Sequence, residues 1–580
     1  MVLQSWTEGR TETLVRGLRL HDLGLDQAFL NVTNTLNEQV FLYTVKDACY
    51  KCPYSFTAAL PAKNSTILKV NSVYSIKSRI YRENLGQYVS ASNRSSLQCG
   101  VETPLQMGEF GIYDLVVNEN GECTTDTYYE PVNIYMSALC VTILTVFLIS
   151  LYYFVHGISQ NWASRNKEGD DLPDQTNNNN PLVAKLKKKE ALLTKKQRLK
   201  SLDAFRGLSV IPLIFYLHHG GGYAVLEHAS WDGLPIADWP FPWFLWIMGV
   251  CVPMGINSNM ERQLSRGTMM LHILRRSTVL FALGISTNCI DYGLAYETFR
   301  FFNALQRFGI MCLINASLCA LLWPRDVSKI KGKFADLRVM WPQWVVHTIV
   351  HIITLGLVFH LPVPGCPTGY LGPGGLSEDR MYQNCTGGTF GYVNKLVMSE
   401  SNLEQNPTSK AVYEVNAFDP EGVFSNLPSL LTIILGIQAG AILVVYNDWK
   451  ARVSRLTIWG TSCVLIAIIL HLSGAIPINK QLWSTSFALI TGGGAFFGLA
   501  LFYFLIDVKK WWTGYPFVEP GVNCLFLYVA SKLTAHLWPF HWSIGPMDTH
   551  FILLLDTMWA CSIWVLIARW LFRRNIIITV

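Results

Sequence analysis

Two hydrophobic patterns divide this chain. Over residues 1–131, apolar and polar positions alternate in short stretches, VFLYTV (40–45), TILKVNSVYSI (66–76) and YDLVV (113–117), separated by turn-forming residues. A period of two at that spacing predicts strands and a small β-sandwich. From residue 132 the pattern changes to apolar runs of about 20 residues, the length a helix needs to cross ~30 Å of hydrocarbon. One run covers 132–158; ten more lie near 202–222, 239–258, 274–292, 307–324, 342–362, 428–447, 456–474, 484–507, 516–533 and 551–572. Residues 159–200 form a polar linker with NNNN (177–180) and the basic run VAKLKKKEALLTKKQRLK (183–200). The prediction is a polytopic α-helical membrane protein of about 11 transmembrane helices with an N-terminal lumenal β-sandwich-like domain. Residues 201–580 form its ten-helix core, which carries a long loop, 363–427.

Composition agrees with that reading. Of 580 residues, 51% are hydrophobic and 15% charged, against roughly 25% charged in soluble proteins. The net charge of +6 matters through its placement. No Lys or Arg lies between Arg94 and the first apolar run, and a dense basic run follows it. Arg262, Arg266, Arg325, Lys329, Lys331, Lys333, Arg338, Lys450, Arg452, Arg455, Lys509, Lys510, Arg573 and Arg574 then fall in alternate links. The positive-inside rule therefore puts the N-terminus in the lumen and the C-terminus in the cytosol. The first residues, MVLQSWTEGRTETL, lack the apolar core of a signal peptide.

The cysteines and sequons point the same way. Cys49, Cys52, Cys99 and Cys123 share the N-terminal region with sequons at Asn31, Asn64 and Asn93, which favours an oxidising compartment. Cys366 and Cys385, beside a sequon at Asn384, pair with each other or tie the long loop to the N-terminal domain. Asn315, in another sequon, falls inside a predicted span, and the remaining cysteines read as small packing residues. GGG (492–494), inside the ninth span, reads mainly as a place of close helix approach. Zinc-type spacing, a Walker loop and a Rossmann fingerprint are absent from the sequence, and no basic soluble domain suggests nucleic-acid binding.

Ionisable groups at membrane spans are costly and so suggest function. His228, on the polar link between the second and third spans, is the sharpest candidate. An imidazole titrates near neutrality and can take a proton or an acyl group. His218 and His219 are its rivals, and Asp232 and Asp238 are the nearest carboxylates that could orient it. Arg206, Arg276, Gln306 and Arg307 open spans, where a guanidinium can hold phosphate through its planar fork. The structural alternatives are an Asp203–Arg206 ion pair and snorkelling of Arg276 and Arg307 to the membrane surface.

Several stretches carry a more specific signal: SLDAFRG (201–207), HASWDGL (228–234), FPWFLWIMG (241–249), LQRFG (305–309), WPQW (341–344), LPVPGCPTGYLGPGG (361–375), NCTGG (384–388), DPEG (419–422), LWSTSF (482–487) and DVKKWWTGYPF (507–517). In this order the chain resembles the lysosomal heparan-α-glucosaminide N-acetyltransferase family over roughly residues 200–520. The resemblance implies transfer of acetyl from cytosolic acetyl-CoA to the terminal non-reducing glucosamine of heparan sulfate in the lysosomal lumen, without a metal. It carries the active-site role to His228; from their place in the chain His218 and Asp232 are candidates for support, and Arg206, Arg276, Gln306 and Arg307 are candidates for holding the donor. A homodimer in the lysosomal membrane is a further expectation. The family often has an asparagine just before GGG, whereas this chain has Leu217 or His218 there. That role does not carry over directly; His218 as a substitute donor and a shifted substrate preference are two readings. Two functions outside this assignment also fit the residues: acyl transfer to another lumenal or extracellular glycan, and membrane transport.

Overall fold

The computed structural model describes residues 14–167, 198–293, 295–330, 332–545 and 547–578. The predicted run NNNN and nearly all of the lysine-rich run lie outside the described residues.

Apart from a two-stranded ribbon at Leu14–Val15 and Leu18–Arg19, the alternating N-terminal pattern folds, among the described residues, into two sheets. The strands are β1 (Gln27–Asn34), β2 (Val40–Lys46), β3 (Tyr54–Leu60), β4 (Asn64–Asn71), β5 (Ile76–Tyr81), β6 (Tyr88–Val89), β7 (Leu97–Leu105), β8 (Ile112–Val117) and β9 (Cys123–Tyr129). One sheet has the order β9-β8-β1-β4 and the other β6-β3-β2-β5-β7. Only the β8–β1 pairing within them is parallel. Alternate residues of both sheets, among them Leu30, Val32, Leu42, Ile80 and Leu115, meet in one apolar core. The stretch 66–76, expected as one strand, breaks after Asn71, and Ile76 starts β5. The side chain of Asn71 accepts a hydrogen bond from the Val73 amide and turns the chain there. Cys49–Cys52 closes the β2–β3 turn, and Cys99–Cys123 joins the two sheets.

Among the described residues eleven principal helices follow. They are α1 (Ile134–Lys167), α2 (Lys200–Leu217), α3 (Pro240–Glu261), α4 (Arg266–Tyr292), α5 (Ala304–Leu322), α6 (Ala335–His360), α7 (Asn426–Val445), α8 (Trp449–Leu472), α9 (Thr485–Phe502), α10 (Cys524–Leu533) and α11 (His550–Arg573). Among the described residues eight of them, α3 to α9 and α11, are long and apolar enough to cross a membrane. Among the described residues α1 includes the apolar segment Ile134–Leu148, and α10 has ten residues. Lys200, Asp203 and Arg206 open the 18-residue α2.

Two predicted spans differ from the helices found. The run 516–533 is divided at Asn523 into a short helix, Val518–Val522, and α10. Pro520 and Gly521 serve a backbone crossing there: a Cβ on Gly521 would stand 1.7 Å from the Asp203 carbonyl oxygen. The run 202–222 stops as an α-helix at Leu217, because His219, Gly220, Gly221 and Gly222 all take positive φ. Those glycines seat α11: the Gly221 carbonyl accepts a hydrogen bond from His550 Nδ1 at 3.0 Å.

Burial separates the centre of the bundle from its rim. The most apolar window of α7 is 83% buried, whereas those of α4, α6 and α8 are each 22% buried and turn apolar faces outward. At the centre α3 and α7 cross through Gly249, Gly436 and Gly440, which lets their backbones touch. The GGG run in α9 packs similarly, Gly493 against Gly460 of α8 and Gly494 against the Trp239 ring.

Residues 361–425 fold over one end of the bundle, closed by Cys366–Cys385. They join the N-terminal domain through Tyr88 Oη–Glu414 (3.2 Å), Ser90 Oγ–Asp379 (2.8 Å) and an apolar cluster containing Cys49, Cys52, Trp231, Phe390, Phe418 and Leu482. Asn315 is buried inside α5, as its place in a span implies.

Candidate active site

Between α2 and α3 the chain cannot stay helical, since it passes through three glycines and Pro235. Trp231 fixes this link. Its ring is buried beneath the long loop, and its Nε1 donates to the Leu371 carbonyl at 2.9 Å. Asp232 and Gly233 then join the α8–α9 link: Asp232 accepts from Asn479 Nδ2 at 3.0 Å, and the Gly233 amide donates to Ile478 at 2.9 Å. This splice brings Lys480 to His228 across 252 residues of sequence.

His228 meets Asp238, ten residues on, where the turn Ile236–Asp238 leads into α3. Nδ1 lies 2.7 Å from Asp238 Oδ1, and Asp238 Oδ2 accepts from the Ala229 amide at 3.3 Å. Asp238 is fully buried, while the His228 side chain keeps 37% of its surface open. An ionised carboxylate only accepts, so this contact assigns the proton to Nδ1 and leaves the Nε2 lone pair free. Lys480 Nζ lies 2.9 Å from both Asp238 Oδ1 and His228 Nδ1; with Nδ1 protonated it donates to the carboxylate. Burial first, then the Lys480 ammonium, hold the imidazole below its ordinary pKa, against the opposing pull of Asp238. The ring stays a neutral base to lower pH than a free histidine would.

His228 and Lys480 open on a cavity of about 280 Å³, whose other walls include Tyr216, Leu217, Arg307, Glu421 and Trp483. It occupies the end of the bundle where α2 finishes and α3, α5, α7 and α9 begin. Arg307 is buried there, donating from Nη2 to the Pro420 carbonyl (2.6 Å) and from Nε to Asn426 Oδ1 (3.2 Å), with its guanidinium 4.8 Å from the Trp483 ring centre.

The other sequence candidates lie elsewhere. Asp232 holds Asn479 and not His228. His218 is buried beside α11, where its carbonyl accepts from Thr557 Oγ1 at 2.6 Å; Leu217 lines the cavity instead. Gln306 closes the capping box of α5 through the Asn303 amide at 3.0 Å. Arg206 is at the opposite end of α2, bonded to Asp203 at 2.9 Å, and Asp203 also accepts from Arg198 Nη2 at 3.1 Å. Arg276 is exposed on α4. The alignment of Asp238 and Lys480 with His228 had only faint signals in sequence. Lys480 stands out as a lysine in a link otherwise poor in Lys and Arg, and Asp238 as a carboxylate immediately before an apolar run.

The arrangement can remove a proton from a nucleophile in the cavity, with a buried carboxylate fixing the tautomer of the base. No protein-family model matches the chain. It is similar over most of its length to two known proteins, each named heparan-alpha-glucosaminide N-acetyltransferase. The mouse protein (Mus musculus) is 33% identical over 599 aligned residues, covering 96% of this chain and 89% of the relative. The human protein (Homo sapiens) is 33% identical over 598, covering 96% and 88%.

Proposed function

The chain belongs to the heparan-α-glucosaminide N-acetyltransferase family, and from that membership we propose that it transfers acetyl from acetyl-CoA to the terminal glucosamine amine of heparan sulfate. The donor enters from the cytosol and the acceptor from the lysosomal lumen. The basic links containing Arg262, Arg266, Lys450 and Arg452 face the cytosol, in keeping with the positive-inside rule. The His228 cavity, the long loop and the N-terminal domain then face the lumen. In this topology α1, α2 and the divided α10 segment complete eleven crossings.

Such an enzyme must join two reactants that cannot leave their compartments. From Arg206 to Leu217 the rise along α2 is roughly 16 Å, the depth an extended thioester arm must span if its phosphates stay at the basic end. Arg206 is toward that end, whereas Arg276, expected to open its span, lies ten residues into α4, about 15 Å along it, because the helix already starts at Arg266. Arg206 shares Asp203 with Arg198, so a phosphate would have to compete with an existing ion pair. Arg307 belongs to the reaction cavity, where it faces the acyl group or the sugar.

His228 Nε2 takes a proton from the amine as nitrogen attacks the thioester carbonyl carbon, and the same proton passes to the departing sulfur. Transfer is direct, in a ternary complex; a labelled acetyl group trapped on His228 without acceptor would instead show an acetyl-imidazole. The observation that carries the proposal is the pairing of an open imidazole with the buried Asp238. The test uses purified protein, acetyl-CoA and a glucosamine-ended acceptor. Wild type should form the N-acetyl product, and folded His228→Ala should form none; equal rates would remove His228 from the reaction.

A further inference from the structure

The reaction needs a second proton acceptor, because a glucosamine in an acidic compartment arrives as the ammonium. Nitrogen has no lone pair to attack with until one proton is gone, and a further proton leaves as the amide forms. His228 accounts for one of these two.

A carboxylate stands in the cavity that the proton relay at His228 leaves unused. Glu421, in the DPEG turn ahead of α7, lines the same cavity as His228 and Lys480. Its side chain is 21% exposed. One oxygen, Oε2, accepts from Arg300 Nη2 at 3.2 Å, and the Glu421 amide is held by Asp419 Oδ1 at 2.9 Å. Among the described residues Oε1 has no hydrogen-bond partner. The carboxylate is thus fixed from behind and free in front.

Among the described residues that line this cavity, Glu421 is the carboxylate, beside Lys480 and Arg307. Lys480 is engaged by the buried Asp238, and Arg307 bonds a carbonyl and an amide oxygen. Arg300, behind Glu421, is shared with Asp419 and Glu404, so it offsets the Glu421 charge only in part. A partly desolvated carboxylate attracts a positive ligand.

We propose that Glu421 binds the ammonium of the acceptor sugar and takes its first proton; this rests on the acetyltransferase reading above. The ammonium gives one proton to the Glu421 carboxylate and becomes the free amine. Its lone pair forms the N–C bond as the C–S bond breaks. His228 takes the second N–H proton and passes it to the CoA sulfur, and the Glu421 proton leaves to solvent. An ammonium and a thioester thus give an amide, a thiol and one proton.

The test is steady-state kinetics of Glu421→Gln and Glu421→Asp with acetyl-CoA and a glucosaminide. Glutamine keeps the size and loses the charge; aspartate keeps the charge. Glu421→Gln should raise the acceptor KM about tenfold or more, the effect of losing one charge-assisted hydrogen bond, with the acetyl-CoA KM within about twofold. The acceptor KM of wild type and variant should converge as pH rises and the amine loses its charge, and Glu421→Asp should retain part of the wild-type affinity. Parallel rises in both KM values, no change in either, or loss of acetyl-CoA binding in both variants would reduce Glu421 to an anchor for Arg300 and overturn the proposal. A wild type that acetylates no glucosaminide would instead refute the function on which it rests.

Discussion

Lys480 sits beside the candidate base and makes a direct statement about pH. Its ammonium, 2.9 Å from His228 Nδ1, disfavours the imidazolium, so protonation and loss of the base occur at lower pH than for a free histidine. Lys480→Met removes that repulsion and leaves Asp238 to favour the charged ring. The acid limb of the kcat/KM profile should therefore move to higher pH, while the plateau above it falls less. A limb that stays in place or moves down would show that Lys480 does not control the proton on His228. Asp238→Asn should lower kcat by about a hundredfold or more at all pH values, because an amide can hold the ring with the proton on the wrong nitrogen. Sequence made His228 readable through its place on a polar link between two apolar runs. It named Asp232 in support where the structure brings Asp238, since the choice between them depends on the Asp232–Asn479 splice, made across 247 residues. Leu217 and His218 were likewise separable only once the helix was seen to end between them.

Helices α3 and α7 show what holds the cavity in place. The Cβ of any residue at Gly436 would stand 2.1 Å from the Trp246 carbonyl oxygen, which cannot move without shifting α3. Gly436→Val should cost at least ~1–3 kcal/mol by overpacking, read as a lower melting temperature in detergent. Gly255, in the same α3, has nothing within 4 Å of a Cβ; Gly255→Ala should be neutral or add up to ~1 kcal/mol through helix propensity. Equal effects at the two positions would contradict the close crossing. Apolar periodicity exposed almost every helix in advance, because lipid demands long unbroken runs. It failed where backbones touch, at the division of 516–533 and at the stop after Leu217. There glycine and proline answer to a neighbouring helix, and a single sequence does not name the neighbour.

At the scale of the whole molecule, the N-terminal domain is locked to the core at the start of α11. Asp26 and Glu109 from the domain meet His550 at the start of α11, with His550 Nε2 3.1 Å from Asp26 Oδ1 and 3.7 Å from Glu109 Oε2. Burial raises the Glu109 pKa to about 7, opposed by the nearby His550 charge. Between the unfolded carboxyl range near 4.5 and pH 7, the folded state holds a proton that the unfolded state has released. The contribution is present at acid pH and lost as pH rises through about 7, at ~1.4 kcal/mol per pH unit over that window at most. Protease resistance of the junction should thus be higher at pH 5 than at pH 7.5, and Glu109→Gln should shrink the difference; greater resistance at pH 7.5 would reverse the sign. The β-rich character of the domain was legible from alternation and turns, but its attachment was not, since Asp26 and His550 lie 524 residues apart.

The central claim is that donor and acceptor, confined to opposite faces of a membrane, meet at His228. The direct measurement places a glucosaminide inside sealed proteoliposomes and radiolabelled acetyl-CoA outside. The account predicts labelled N-acetyl product inside wild-type vesicles and none with His228→Ala. Product formed only when both reactants share one compartment, or formed equally by the variant, would contradict it.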